Sequence, residues 1–130
     1  MTEKLNVGEK FSVESIVTDA DTAVAMKSGS LKVLATPKLI CLVEEAASTL
    51  AEKFLPAEFT SVGTRLDVQH TAPTPVGFTV RAEVELVAID RRKLTFKVSA
   101  RDDAGEIFSG THERFIVDRE KFQLKADSKL

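Results

Sequence analysis

The chain has 130 residues, a formal net charge of −2 and 43% hydrophobic residues, which is typical of a folded globular domain and excludes a disordered chain. Its 18 basic and 20 acidic residues are interspersed, which argues against a nucleic-acid-binding surface. The single cysteine, Cys41, excludes an internal disulfide and favours a reducing compartment. No apolar run approaches the length of a membrane span. We therefore expect one cytoplasmic domain over residues 1–130 that binds neither nucleic acid nor a membrane.

The first predicted elements are a strand, an irregular connection and a helix. β-Branched residues predict a strand over 10–18, and residues 19–35 have no clear period. Residues 36–54 predict a helix, in which Thr36 is a favoured N-cap and Pro37 suits the first helical position. Apolar residues recur there at helical spacing and form one stripe: Leu39, Val43, Ala46, Ala47, Leu50 and Phe54.

The remainder of the chain predicts antiparallel strands that each bury one face. Apolar and polar residues alternate over 61–70, 78–88 and 94–100, and a less regular strand follows over 106–118. The strings "DRRK" and "DDAG" are short enough for hairpin turns. One long apolar helix beside such a sheet predicts an α+β domain in which the sheet curves around the helix. Because one helix cannot cover about five strands, we also expect a dimer that continues the sheet.

His70 ends the strand predicted over 61–70. It shares its side with Val62, Leu66 and Val68, so its ring is expected to point toward the helix. A buried imidazole needs a hydrogen-bond partner. The pattern leaves two interpretations open: a structural histidine that caps the following loop, or a reactive group.

Two helix residues, Thr36 and Glu44, could meet His70. At about 100° per residue, Thr36 lies on the apolar stripe and Glu44 lies about 80° from it, at the border of the buried face. Glu45 falls on the opposite, solvated side. Glu44 is therefore a candidate general base at the seam between helix and sheet, the alternative being a surface carboxylate. Thr36 is a candidate reactive hydroxyl, the alternative being a helix cap alone.

The string "SGTHER" supplies the second histidine, His112, with Arg114 on the same strand face. Its spacing does not decide whether His112 is buried, or whether Arg114 is a surface charge, a structural ion pair or an anion clamp. Cys41 lies about 140° from Thr36 on the helix, away from the apolar stripe, and is rejected as a nucleophile. Two separated histidines do not form a zinc motif and no glycine-rich phosphate loop occurs, so we expect no metal and no cofactor.

Three strings together are similar to the fluoroacetyl-CoA thioesterase-like family of hot-dog-fold proteins: "TP…CLVEEA", "GTRLDVQHTAPTPVGFTVRAEVEL" and "FSGTHERFIVDREKF". The resemblance spans nearly the whole chain, from "VGEKFS" to "REKF". It implies a hot-dog fold, in which a curved antiparallel sheet wraps one long helix. It also implies a homodimer, or a tetramer, with active sites at subunit interfaces. The implied activity is hydrolysis of a short acyl-CoA substrate to the free acid and coenzyme A.

The resemblance also implies the residues of the site. The family's catalytic set is a threonine near the start of the helix, a glutamate eight residues later and the histidine of the H-T-A string, and these match Thr36, Glu44 and His70. The family's substrate-side hydrogen-bond network uses a glycine and an arginine at the positions of Gly63 and Arg114.

The resemblance implies activity on short acyl groups in general and not specificity for a fluorinated one. The fluoroacetyl-specific member carries phenylalanines in a lid before the helix, whereas the corresponding stretch here, "KSGSLKVLA", is shorter and contains no Phe. A short acyl-CoA, not a fluorinated one in particular, is the expected substrate. The alternatives are a non-catalytic acyl-CoA-binding protein and a hot-dog hydratase for enoyl thioesters. A hydratase normally needs an aspartate paired with its histidine, and Asp67 has the opposite strand parity to His70.

Overall fold

The computed structural model describes the whole chain, Met1 to Leu130, as one long helix against a curved five-stranded antiparallel sheet. The strand order is β1-β3-β4-β5-β2, so that β1 and β2 are the two edges. Neither helix is long and apolar enough to cross a membrane. In chain order the elements are β1 (Lys10–Ile16), a short 3-10 turn (Asp19–Asp21), α1 (Thr36–Glu52), β2 (Phe59–His70), β3 (Thr79–Asp90), β4 (Lys93–Asp102), β5 (Gly105–Asp118) and α2 (Arg119–Asp127).

The core lies between α1 and the face of the sheet that it covers. The buried residues of α1 recur at helical spacing, which confirms the predicted stripe; they are Leu39, Leu42, Val43, Ala46, Ala47, Leu50 and Ala51. Alternate residues of β4 are buried in the same core, as the alternation of apolar residues predicts: Leu94, Phe96, Val98 and Ala100. Burial of these apolar side chains is the main stabilising contribution to the fold.

A β-bulge at residues 63–65 changes which side chains of β2 face α1. After the bulge, His70 pairs with the fully buried Phe108, so the prediction that its ring faces the core is confirmed. Before the bulge, Val62 pairs with Phe115, whose ring is exposed on the other face. The prediction that Val62 shares the side of His70 is wrong, because a bulge inserts one extra residue and reverses the alternation.

The structure corrects the predictions at four further places. Ala35 is the N-cap of α1 and Thr36 is its first residue, so Thr36 is not the predicted cap. The helix ends at Glu52, two residues before the predicted end. A second bulge, in β3, leaves Ala88 exposed. The sequence did not predict α2, Arg119–Asp127, because this helix buries none of its residues and has no apolar stripe.

The buried carboxylate of Asp102 holds the loop at residues 71–78, which connects β2 to β3, in place through a hydrogen bond. The fully buried Thr74 donates its hydroxyl to Asp102 Oδ2 at 2.7 Å. Oδ1 of Asp102 accepts two backbone N–H groups of the following turn, at 2.8 and 3.1 Å. Burial alone would raise the pKa of Asp102, but these hydrogen bonds outweigh it and the pKa lies below its usual value of 3.8. The loop that begins directly after His70 is therefore anchored to the last residue of β4, at the same end of the sheet.

Replacing Asp102 by alanine is expected to lower the free energy of unfolding by about 1–3 kcal/mol, because the buried Thr74 hydroxyl and two turn N–H groups lose their acceptor. Urea unfolding at pH 7 measures this, with Glu106→Ala as the control that removes an exposed carboxylate from β5. Since folding lowers the pKa of Asp102, its contribution is present above pH 3.8 and declines as the pH falls through the lower folded-state value. Equal unfolding free energies for the two variants at pH 7 would contradict this role.

Candidate active site

Thr36 and His70 meet where the first turn of α1 reaches the end of β2. Thr36 Oγ1 lies 2.7 Å from His70 Nδ1, within hydrogen-bond distance. The N-cap position belongs to Ala35, whose side chain makes no capping bond, and the Thr36 hydroxyl is engaged with the imidazole. The structure therefore brings together a hydroxyl and an imidazole that lie 34 residues apart in the sequence.

The other ring nitrogen of His70 is buried and has no partner. Nε2 makes no hydrogen bond in the structure, and the ring packs edge-on against Phe108, with the ring centroids 6.4 Å apart. Burial lowers the pKa of His70 below 6.5, although the nearby backbone of Ala72 opposes part of this shift. The ring is therefore neutral at pH 7. An unpaired buried polar atom costs about 1–3 kcal/mol and is therefore rare, so this nitrogen marks a place where a ligand can supply the missing hydrogen bond.

An open cleft of about 340 Å³ lies beside Thr36 and His70. Ser28 and Thr71 contribute hydroxyl groups to its wall. Its volume is at the lower end of the roughly 300–1,000 Å³ found for small-molecule sites, so the cleft suits a small group. The apolar side chains that line it are all aliphatic: Ala23, Val33, Leu34 and Ala72.

Glu44 lies farther along α1, against Gly63 of β2. Its Oε2 is 3.5 Å from Arg114 Nη1, and the Arg114 side chain is 7% exposed whereas that of Glu44 is 38% exposed. A Cβ atom at Gly63 would lie 2.5 Å from Glu44 Oε2, so any larger residue would displace the carboxylate. Burial lowers the pKa of Arg114, whereas the negative charge of Glu44 opposes this shift. The arginine remains charged in the folded protein. Glu44 thus reaches the seam between helix and sheet, and its neighbour Glu45 is exposed.

These two groups of residues are separate within one chain. The eight residues of helix from Thr36 to Glu44 span about 12 Å, and the seven residues of strand from Gly63 to His70 span about 23 Å. No hydrogen bond or ion pair joins Glu44 to Thr36 or His70. The structure therefore pairs Thr36 with His70 and places Glu44 with Gly63 and Arg114, but it does not unite all five residues.

His112 and Ser61 complete the group around Arg114, and the sequence assigned neither of them a role. Arg114 donates to Ser61 Oγ at 2.8 Å and to Ser61 O at 2.9 Å. The ring of His112 is fully buried between Arg114 and the carbonyl of Arg65. Strand parity did place His112 beside Arg114, but it put Ser61 on the opposite face from the core, because nothing in the pattern marked the bulge.

Both histidines are expected to be neutral at pH 7, because burial lowers the pKa of each below 6.5. In a ¹H NMR titration the two imidazole Hε1 resonances should have midpoints below 6.5, and a His70→Gln variant identifies which is which. The unfolded chain binds these protons more readily than the folded one, so the free energy of unfolding should decrease as the pH falls below 6.5. A midpoint at or above 6.5 for either ring would contradict the burial of that ring.

Comparison with known proteins relates this site to one family. Residues 17–120 match the family described as "FlK: Fluoroacetyl-CoA-specific thioesterase". The fluoroacetyl-CoA thioesterase of Streptantibioticus cattleyicolor is 36% identical over 135 residues, which cover 99% of this chain and 97% of that protein.

Solved structures show the same relationship in three dimensions. A solved structure of the fluoroacetyl-CoA thioesterase FlK superposes with a TM-score of 0.92 at 35% identity, covering 97% of this chain and 98% of that one. A hot-dog-like protein from Thermanaerovibrio acidaminovorans has a TM-score of 0.90 at 24% identity over 99% of this chain and 96% of its own, which shows a shared fold. The chain therefore has the hot-dog fold and belongs to the fluoroacetyl-CoA-specific thioesterase family.

Proposed function

We propose that this protein hydrolyses short acyl-CoA thioesters to free acids and coenzyme A. The observation that carries the proposal is the 2.7 Å contact between Thr36 Oγ1 and His70 Nδ1 beside a cleft of about 340 Å³. A hydroxyl paired with a neutral imidazole is an arrangement that activates a nucleophile. The 36% identity to a fluoroacetyl-CoA thioesterase supports the same class of reaction. We further propose that residues 1–130 act as one domain in the cytoplasm, without a cofactor.

In the proposed first step, Thr36 Oγ attacks the thioester carbonyl carbon and its proton passes to His70 Nδ1. The C–S bond then breaks, and His70 returns this proton to the leaving thiolate, which departs as coenzyme A. His70 can accept the proton because burial keeps its pKa low and the ring neutral. Its Nε2 then carries the hydrogen throughout, and this otherwise unpaired group is free to donate to the substrate.

In the second step, a water molecule attacks the acyl ester on Thr36 while Glu44 accepts a proton from that water. The C–O bond to Thr36 breaks, the free acid leaves, and the proton returns to the threonine hydroxyl. One thioester and one water are consumed, and one acid and one thiol are formed.

We infer that Glu44 reaches this reaction from a second subunit, because about 12 Å of helix separates it from Thr36 of its own chain. The edge strand β2 has twelve residues, and its outer backbone groups are not paired within the sheet. Long exposed edges are normally covered, and a second copy of the same strand does this while extending the sheet.

A two-fold axis between Leu66 and Asp67 would cover the exposed edge of β2 and would also bring Glu44 of one subunit toward His70 of the other. It pairs β2 with the same strand of a second copy and sets Gly63 opposite His70 of the partner subunit. We therefore propose a homodimer with two composite sites. Each site would unite Thr36 and His70 of one subunit with three residues of the other: Glu44, Gly63 and Arg114.

The preferred acyl group is proposed to be short and not specifically fluorinated. The cleft beside His70 is small, and its apolar walls are aliphatic with no aromatic ring. The hydratase alternative lacks a suitable carboxylate, because the Asp67 side chain is 72% exposed and pairs with Thr111 on the opposite face of β2.

Glu44→Gln and His70→Ala are each expected to lower turnover by about 10²- to 10⁴-fold, the usual loss when a general acid or base is removed. Glu45→Gln is the matched control, because it removes the neighbouring but exposed carboxylate of the same helix. Free-thiol release from acyl-CoA esters of increasing chain length measures the effect. Near-wild-type hydrolysis by both site variants would refute the assignment. Saturable binding of these esters without thiol release by the wild-type protein would instead identify a non-catalytic binder.

A complementation experiment tests the composite site. In a heterodimer of one His70→Ala subunit and one Glu44→Gln subunit, one shared site carries both substitutions and the other carries none. We therefore expect about half of the wild-type turnover per dimer from two parents that are each nearly inactive, since the intact site keeps both groups. Differently tagged subunits are co-expressed, and each purified parent dimer serves as a control. If each site were built within one chain, both sites would be damaged and the heterodimer would stay as inactive as its parents.

A further inference from the structure

The imidazole of His112 is held by a partner at each nitrogen. Nδ1 lies 2.9 Å from the carbonyl oxygen of Arg65, and Nε2 lies 3.3 Å from Arg114 Nη1. A carbonyl oxygen only accepts and a guanidinium only donates, so Nδ1 carries the hydrogen and Nε2 accepts from Arg114. The ring is fully buried and stacks on Phe96, with the centroids 6.2 Å apart. These contacts fix His112 as one neutral tautomer.

The bulge in β2 provides the carbonyl that selects this tautomer. Gly63 and Arg65 pair with successive residues of β5, which leaves Thr64 as the extra residue. The Thr64 hydroxyl donates to the backbone of Glu113 at 3.2 Å. Arg65, the first paired residue after the bulge, directs its carbonyl to His112. Bulges commonly redirect backbone groups beside functional sites.

The Arg114 guanidinium is fixed on two sides. Nε and Nη2 donate to Ser61, and these contacts hold one edge of the group. Nη1, on the other side, donates to His112 and is also the nitrogen that lies 3.5 Å from Glu44 Oε2. His112 therefore contacts the same nitrogen that faces the carboxylate. Without this acceptor, a buried N–H of Arg114 would lose a partner and the guanidinium would shift to recover one.

We propose that His112 is a positioning residue for hydrolysis: it accepts a hydrogen bond from Arg114 Nη1 and thereby holds the guanidinium against Glu44. His112 acts through Arg114 and Glu44 and does not touch the substrate. The proposal rests on the role given to Glu44 above. The close packing supports it, because a Cβ atom at Gly63 would lie 3.3 Å from the His112 ring, 3.4 Å from Arg114 Nη1 and 2.5 Å from Glu44 Oε2.

Two substitutions separate the hydrogen bond from the packing of the ring. His112→Phe keeps an aromatic ring against Phe96 but removes the acceptor, whereas His112→Gln offers an amide oxygen to Arg114. We expect His112→Phe to lower kcat about tenfold or more with KM within about twofold, as for one lost hydrogen bond to a charged group, and His112→Gln to recover most of kcat. In a Glu44→Gln background, His112→Phe should cause little further loss, because its effect passes through Glu44.

A merely structural role gives different results. Equal tenfold losses from His112→Phe with and without Glu44→Gln would overturn the proposal, as would a loss confined to KM or a wild-type kcat in His112→Phe. If His112→Phe does not fold, the failure of His112→Gln to retain kcat decides against the proposal.

A measurement on the unmodified protein is independent of activity. The ¹⁵N shifts of the His112 imidazole, identified in a His70→Gln variant, should report the Nδ1–H tautomer at pH 7. An Nε2–H tautomer or a protonated ring would overturn the proposal, even in a protein that hydrolyses thioesters. If no thioester is hydrolysed but the Nδ1–H tautomer is found, the proposed function fails while the hydrogen-bond arrangement around Arg114 stands.

Discussion

The packing of α1 along the edge strand β2 is the constraint on which the site depends. At intervals of eight residues, the helix presents Thr36, Glu44 and Glu52 to this strand. Thr36 forms a hydrogen bond with His70, and Glu52 accepts a 2.6 Å hydrogen bond from Thr60. Glu44 lies between them against Gly63. The apolar stripe of α1 holds the helix on the sheet, and this leaves the polar border of the helix aligned with one strand.

The polar groups along this border lie in two different electrostatic environments. Thr36 and His70 form a neutral pair beside a largely aliphatic cleft, where burial keeps the imidazole uncharged. Glu44 instead faces a buried guanidinium, so its carboxylate has a charged partner. A neutral base and a charged carboxylate suit different proton transfers. A site that combines them can separate the departure of a thiol from the activation of water.

The fold and much of the site could be predicted from the sequence because they depend on periodic burial. The stripe of α1 and the alternation in β4 are strong signals, and parity placed His70 correctly. The role of Thr36 at the helix start was not predictable from propensity, because threonine is a good cap but here its hydroxyl bonds the imidazole and Ala35 takes the cap position. Ser61 was assigned to the wrong face because a bulge has no reliable signature in one sequence. The pairing of His112 with Arg65 could not be seen either, since it depends on one backbone carbonyl.

The extra residue in β2 has a consequence for how such a site can vary. Along a regular strand, residues an odd number apart face opposite sides, and Gly63 and His70 are seven apart. They face the same helix only because Thr64 adds one residue to the count. Removal of Thr64 would abolish the bulge and leave the glycine and the histidine six residues apart on a regular strand, where they still face the same side. Removal of any other single residue between them, with the bulge kept, would turn one of the two toward solvent. A one-residue length change between these two positions can therefore preserve the site only if it also creates or abolishes a bulge, whereas a two-residue change preserves the alternation by itself.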